Sequence, residues 1–378
     1  MTDERSVCDQ NGIIDRRSAL KAMGTAGLVG LAGCSSGDND NSGANGGSGD
    51  GDSTASDGSG DSNGNGSSPE SLTLTSGPEG TLIYGVGSAM SATLRQHSDI
   101  VLNAQAGPSG QSLVQLIQGN EKLGAASAWL VLQALNNEGR FEDIESELQP
   151  MQIMTMMDQR TGAVTKAGTD IEYYSDVAGA TVGLGPAGAS FNDPWKLALD
   201  TATGGGDYDT TTTAVNQEAD AVSSNRVDVQ IVPMHVNGLN PAHISQVYAE
   251  NDIRVLSFQE DSVNTIGSET NLGLEPTPND ELSENIAEFT HEPESILLQS
   301  RYVLMGTSQL SSDFVYSFMD TLWQNSEHLG EGHAGAQPFN DIEFWTQTVV
   351  PELPVHPGAA EFLKEHDAWD DDYEVGEV

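Results

Sequence analysis

Leu72-Thr73-Leu74-Thr75-Ser76-Gly77-Pro78-Glu79-Gly80-Thr81-Leu82-Ile83-Tyr84-Gly85-Val86-Gly87 decides how the rest of the chain is read. Its first four residues alternate apolar and β-branched side chains, a strand signature. A Gly/Pro/Thr loop then breaks the alternation, and Val86, Ala89, Met90 and Leu94 recur at helical spacing to about Gln96. The same β–loop–α unit follows twice more. Ile100–Ala104 is a strand, Gly107-Pro108-Ser109-Gly110 a turn, and Leu113, Leu116 and Ile117 one face of a helix for which Ser109 is the expected N-cap. Leu123–Ser127 is a third strand, before a helix carrying Trp129, Leu132 and Leu135. Such alternation predicts an α/β fold with parallel strands.

Further along, Gln152–Met157 reads as a strand crossing to a second lobe, and the pattern restarts after Gly168. Thr181–Leu184 is a strand, Gly185–Ser190 a third Gly-rich loop, and Asp193-Pro194 an N-cap followed by Pro at the first helical position. Val227–Val232, Arg254–Phe258 and Tyr302–Met305 are further strands, and Ser312–Asn325 a helix. The expectation is an α/β protein of two lobes with a return crossing. Residues 72–157 and 298–378 form lobe 1, and 158–297 form lobe 2.

Charge narrows the partners. The 378 residues carry 57 Asp and Glu against 14 Lys and Arg, a formal net charge of −43. This surface repels phosphate backbones and anionic head groups, which argues against nucleic acid and polybasic membrane docking. Apolar periodicity persists through residues 72–365, so the acidity is not that of a disordered chain. It reads as adaptation to very high salt, where the screening length falls to a few Å and dense carboxylates keep the surface hydrated.

Residues 1–33 read as an export signal. Arg16 and Arg17 form a twin-arginine pattern in Asp15–Lys21, and the apolar run Ala22–Ala32 spans only about 17 Å as helix, against ~30 Å of hydrocarbon. Leu31-Ala32-Gly33-Cys34 resembles a lipobox, with Cys34 the expected lipidation point. Two long acyl chains would hold the protein at a membrane stably. From Ser35 to Ser71 the chain is almost wholly Gly, Ser, Asp and Asn, the composition of a disordered tether with a reach of roughly 30–36 Å. Of the two cysteines, Cys8 lies within the signal, leaving neither a disulfide framework nor a cysteine zinc site.

The three loops Gly77–Thr81, Gly107–Gly110 and Gly185–Ser190 fall between a strand and a helix. Ligands of open α/β sheets bind at such positions, where glycine permits close approach and helix N-termini favour an anion. Neither Gly-x-x-x-x-Gly-Lys nor Gly-x-Gly-x-x-Gly occurs at these strand ends, so nucleotide binding is not indicated. Each loop read singly is also compatible with an ordinary βα turn.

Thr75–Gly87 resembles the opening of the TAXI family, the solute receptors of one branch of TRAP transporters. Ala104–Leu113, Gly119–Gly124, Ala178–Gly188 and Leu353–Ala359 are similar to later motifs of that family, in the same order. The resemblance implies a type II clamp, like that of periplasmic binding proteins, which closes on a small organic anion of the carboxylate type and passes it to membrane permease subunits. Carried onto this sequence, it places Gly80, Thr81 and Tyr84, Ser109 and Gly110, and Gly185 and Gly188 against solute. Departures occur at Ala189-Ser190-Phe191 and at Ser127-Ala128-Trp129, where the family more often has polar residues. These positions are expected at the cleft too, making it less polar, so glutamate specificity does not transfer. Trp129 and Phe191 fit equally a cleft wall or a core.

An enzyme is not expected. There is no His-Glu-x-x-His or Gly-x-Ser-x-Gly, and Glu327, His328 and His333 read as an exposed helix end rather than a metal pair. A covalently held cofactor in such a fold would need an internal cysteine. No cofactor or metal is expected. Two alternatives share the anchor and tether: the solute-binding lipoprotein of an ATP-driven importer, and a ligand-sensing surface lipoprotein.

Overall fold

The computed structural model describes residues 71–145, 148–235 and 240–378. The signal, Cys34 and nearly all of the tether lie outside the described residues. No described helix is long and apolar enough to cross a membrane.

The three opening units form as their periodicity dictates. β1 (Ser71–Thr75) leads through the first loop to α1 (Leu82–His97), β2 (Val101–Gln105) leads to α2 (Ser109–Ile117), and β3 (Leu123–Ser127) leads to α3 (Ala128–Leu135). β1 and β2 pair in parallel. The expectation of parallel strands fails at β3, which pairs antiparallel with β10 (Glu294–Gly306). The return strand enters this half of the molecule from the other and slots in against β3.

Ser109 is not the N-cap of α2. Pro108 holds that position in an extended conformation, leaving the Ser109 hydroxyl to accept a bond from the Ser190 amide instead.

The crossing is one unbroken strand. β4 runs from Met151 to Lys166, well past the expected end at Met157, and pairs antiparallel with β10 from Leu298↔Thr161 to Gly306↔Met151. Its sequence explains its two memberships. Ile153, Met154, Met156 and Met157 pack with Leu304 in the core built on α1, while Ala163 and Val164 join the cores of the second half. Between them lies the polar stretch Asp158-Gln159-Arg160, paired with Arg301, Ser300 and Gln299 of β10. The register slips between Tyr302 and Val303 and again between Leu304 and Met305, irregularities that bend a ribbon and increase its twist.

The second half holds β5 (Thr181–Gly183), α4 (Asn192–Thr203), β6 (Asp209–Thr211), α5 (Glu218–Ser223), β7 (Val229–Met234), α6 (Ala242–Glu250), β8 (Ile253–Val255) and β9 (Leu274–Pro278). The main sheet runs β3-β10-β4-β7-β5-β6, with β8 on β4 and β9 on β10. Tyr174, Trp195 and Phe258 stack at its centre, with Tyr174 and Phe258 ring centroids 4.1 Å apart. Trp195 Nε1 donates to Thr161 Oγ1 at 2.8 Å and the Ala163 amide donates to the Tyr174 hydroxyl at 2.9 Å, which pins this aromatic cluster to β4. α4 starts one residue before the expected cap, so Asp193 and Pro194 sit inside its first turn. The Asp193 carboxylate is used elsewhere, as described below.

The C-terminal segment returns to the first half. His356 caps the helix Pro357–Glu365, its Nδ1 accepting from the Gly358 amide, and Pro357 takes the first helical position. Gly358 lies so close to the helix Ser312–Gln324 that an added Cβ would come within 2.1 Å of the Ser312 carbonyl oxygen. The last residues stay tied to β4 through Val355, whose amide donates to Glu374 while the Gly376 amide donates back to Val355.

Candidate functional site

A cavity of about 30 Å³ lies where the two halves meet. From the first half, Gly77, Pro78, Thr81, Leu82 and Ile83 reach it at the end of β1, and Ser109 at the start of α2. Gln159 of β4 and Tyr302 of β10 reach it from the strands that join the halves. The second half closes it with Pro186, Ala189 and Phe191 after β5, Val215 and Glu218 around α5, Pro233 of β7, and Pro241 and His243 at α6. Space of this size holds one or two waters.

The halves touch through the predicted loops. The Ser190 amide donates to Ser109 Oγ at 3.3 Å, and Ser190 Oγ donates to the Tyr302 hydroxyl at 2.7 Å. Burial raises the Tyr302 pKa, so this phenol stays neutral. A Cβ on Gly110 would meet the Gly188 carbonyl oxygen at 3.2 Å, and one on Gly188 would meet the Pro108 ring at 3.0 Å. Gly188 also holds a φ of +76°, in the left-handed region that glycine favours. Outside these loops, Arg140 Nε donates to Asp193 Oδ2 at 3.0 Å and spans the two halves.

Of the predicted residues, Thr81, Ser109, Ala189 and Phe191 line the cavity. Gly110, Gly188 and Ser190 form the loop contacts that shut it, and Gly185 stands behind Phe191, where an added Cβ would come within 3.3 Å of the ring. Phe191 is both wall and core, since it also packs into the second half's main cluster. Gly80 faces open space, and Tyr84 lies along α1 away from the lining. Ser127 and Trp129 line a different cavity, of about 240 Å³, with Pro194, Arg301 and Thr348.

Four polar contributors escaped the sequence reading: Gln159, Tyr302, Glu218 and His243. Glu218 has 1% of its side chain exposed, and its Oε2 accepts no hydrogen bond. Burial raises its pKa well above the usual carboxylate range. Burial lowers His243 to about 4, and burial together with repulsion from His243 and His333 lowers His235 to about 4. His243 Nε2 stands 3.7 Å from Glu218 Oε2, beyond hydrogen-bond distance, and a neutral imidazole makes no ion pair there. No Lys or Arg is among the lining residues. Among the described residues, no group of three or more His, Cys, Asp or Glu is placed to hold a metal.

Two α/β halves joined by paired strands, with a cavity shut between opposing loops, make a mixed α/β fold of two-lobe type. The chain belongs to the NMT1-like family, whose model matches residues 74–366. No curated protein matches it in sequence. Several solved structures are similar to it at low identity. The periplasmic aliphatic sulphonate binding protein SsuA from Escherichia coli is 14% identical, with a TM-score of 0.42 over 79% of this chain and 84% of that one. The ligand-binding component of an ABC-type import system from Staphylococcus aureus, with zinc bound, is 10% identical, with a TM-score of 0.41 over 82% and 97%. The regulatory domain of MetR, a LysR family regulator from N. meningitidis, is 9% identical, with a TM-score of 0.40 over 70% and 96%. None of these carries a ligand over to this chain.

Proposed function

We propose that the protein is an extracytoplasmic solute receptor, tethered to the cell membrane through a lipid on Cys34, that closes on a small organic molecule and delivers it to TRAP-type permease subunits. The observation that carries this reading is the cavity itself, walled by loops of both halves and floored by the two strands between them. A solute held there contacts both halves at once, so its binding energy favours the closed form by the difference in contacts. The closed form in turn offers a permease a surface that the open form lacks. Tethering raises the local concentration beside the permease, so a modest docking affinity suffices.

The anion implied by the TAXI resemblance would find its donors in the backbone of the loops at Gly77–Thr81 and Gly107–Gly110, because the lining offers no Lys or Arg. An ATP-driven importer would use the same clamp. A multi-helix permease gene beside this one supports the TRAP partnership, and an ATPase gene there replaces it.

A thermal-shift screen of small organic solutes in concentrated salt tests the receptor reading. A solute at a hundredfold excess over its Kd is expected to add about 2.7 kcal/mol to the unfolding free energy. A melting transition that no solute moves would overturn the reading.

A further inference from the structure

Glu218 has no part in holding the halves together. It reaches the cavity from the start of α5, is buried, and leaves Oε2 without a donor. The neighbouring groups do not supply one. His243 stands too far away, and the Tyr248 hydroxyl, whose ionisation the Glu218 charge opposes, is buried and also makes no hydrogen bond. Buried carboxylates are ordinarily paired or hydrogen-bonded, because an unmet one forfeits its solvation without return. The rest of the wall is mainly apolar, with Pro186, Pro233, Leu82, Ile83 and Phe191. An anionic solute placed here would hold Glu218 in its neutral form and find no Lys or Arg in the lining to offset its own charge. A solute with a charged N–H would supply the missing donor and a counter-charge together, and charge-assisted bonds are the strong ones.

We propose that the solute is a small, largely apolar organic molecule carrying a protonated nitrogen, and that Glu218 is its counter-ion. The proposal rests on the receptor reading and replaces the carboxylate class with an ammonium class. Burial of Glu218 serves selectivity: the site is costly to form alone and is relieved by the one chemistry that answers it.

The test uses the purified mature protein in concentrated KCl and three sets of probes on matched skeletons. These are butylamine with its branched and cyclic analogues, the corresponding alcohols, and the corresponding carboxylates. Thermal shift and titration calorimetry are expected to find binding among the amines, weaker binding among the alcohols and none among the carboxylates. Glu218→Gln, which keeps the shape, is expected to lower amine affinity by about tenfold or more, with Glu218→Asp between the two. Carboxylates binding as tightly as amines, or amines binding Glu218→Gln as well as the unaltered protein, overturns the proposal and leaves the receptor reading standing. If none of the three sets binds, the ammonium proposal falls and the wider solute screen decides the receptor reading. Should Glu218→Gln not fold, the ranking of the three sets on the unaltered protein decides.

Discussion

At the scale of single residues, Glu218 links binding to stability. A buried carboxylate without a donor costs the fold about 1–3 kcal/mol. Glu218→Gln is therefore expected to raise the melting temperature at neutral pH by ~2 °C or more. The effect should depend on pH. The folded pKa lies above the ordinary 4.5, so the unfolded chain gives up this proton first and wild-type stability declines as pH rises from about 4.5. The advantage of the variant should thus widen upward from there. His235 and His243 act in the opposite sense. Held near 4 against an ordinary 6.5, they cost stability as pH falls below 6.5, and the variant keeps that acid limb. Melting curves of both proteins between pH 4 and pH 8 check this, and an unchanged or lower melting temperature at neutral pH would contradict it. Thr81, Ser109, Ala189 and Phe191 were legible because loop chemistry marks the end of a strand. Glu218 was not, because one acid among 57 has no local mark of burial; only the packing of α5 against β7 and α6 sets it apart.

At the scale of elements, β4 shows where pattern reading stops. Met151–Met157 announces itself by hydrophobicity, whereas Thr161-Gly162-Ala163-Val164-Thr165 is small, buried and without alternation, since neighbours cover both faces. The polar stretch between them looked like a strand end and is instead the span between halves. The start of α2 was misplaced for a similar reason. Ser109 has the side chain of a cap, but a partner across the cleft takes its oxygen. The C-terminal helix supplies a test of close packing. Gly358→Ala forces a Cβ onto the Ser312 carbonyl, which backbone cannot avoid by rotating a side chain. The expected loss is about 1–3 kcal/mol, read as an earlier midpoint in denaturant. An unchanged midpoint would mean that the two helices are not held at this spacing.

At the scale of the whole molecule, the receptor reading makes the opposing loops and the Arg140–Asp193 pair the contacts that would set how long a closed form lasts. The pair is partly exposed, with 28% and 36% of the two side chains accessible, so salt and water weaken it. Arg140→Ala is expected to raise the solute off-rate by about twofold to fivefold and to leave the on-rate unchanged, because the contact forms only after closure. Stopped-flow measurements separate the two rates, and a slower on-rate with an unchanged off-rate would show that the pair guides entry instead.

Both ends of the described chain belong to one half. β1 opens at Ser71 beside α1, and the final residues are fastened to β4 through Val355. Under the receptor reading, closure would move the second half against a first half that carries both ends of the described chain, and that moving half alone would be the flag that announces cargo.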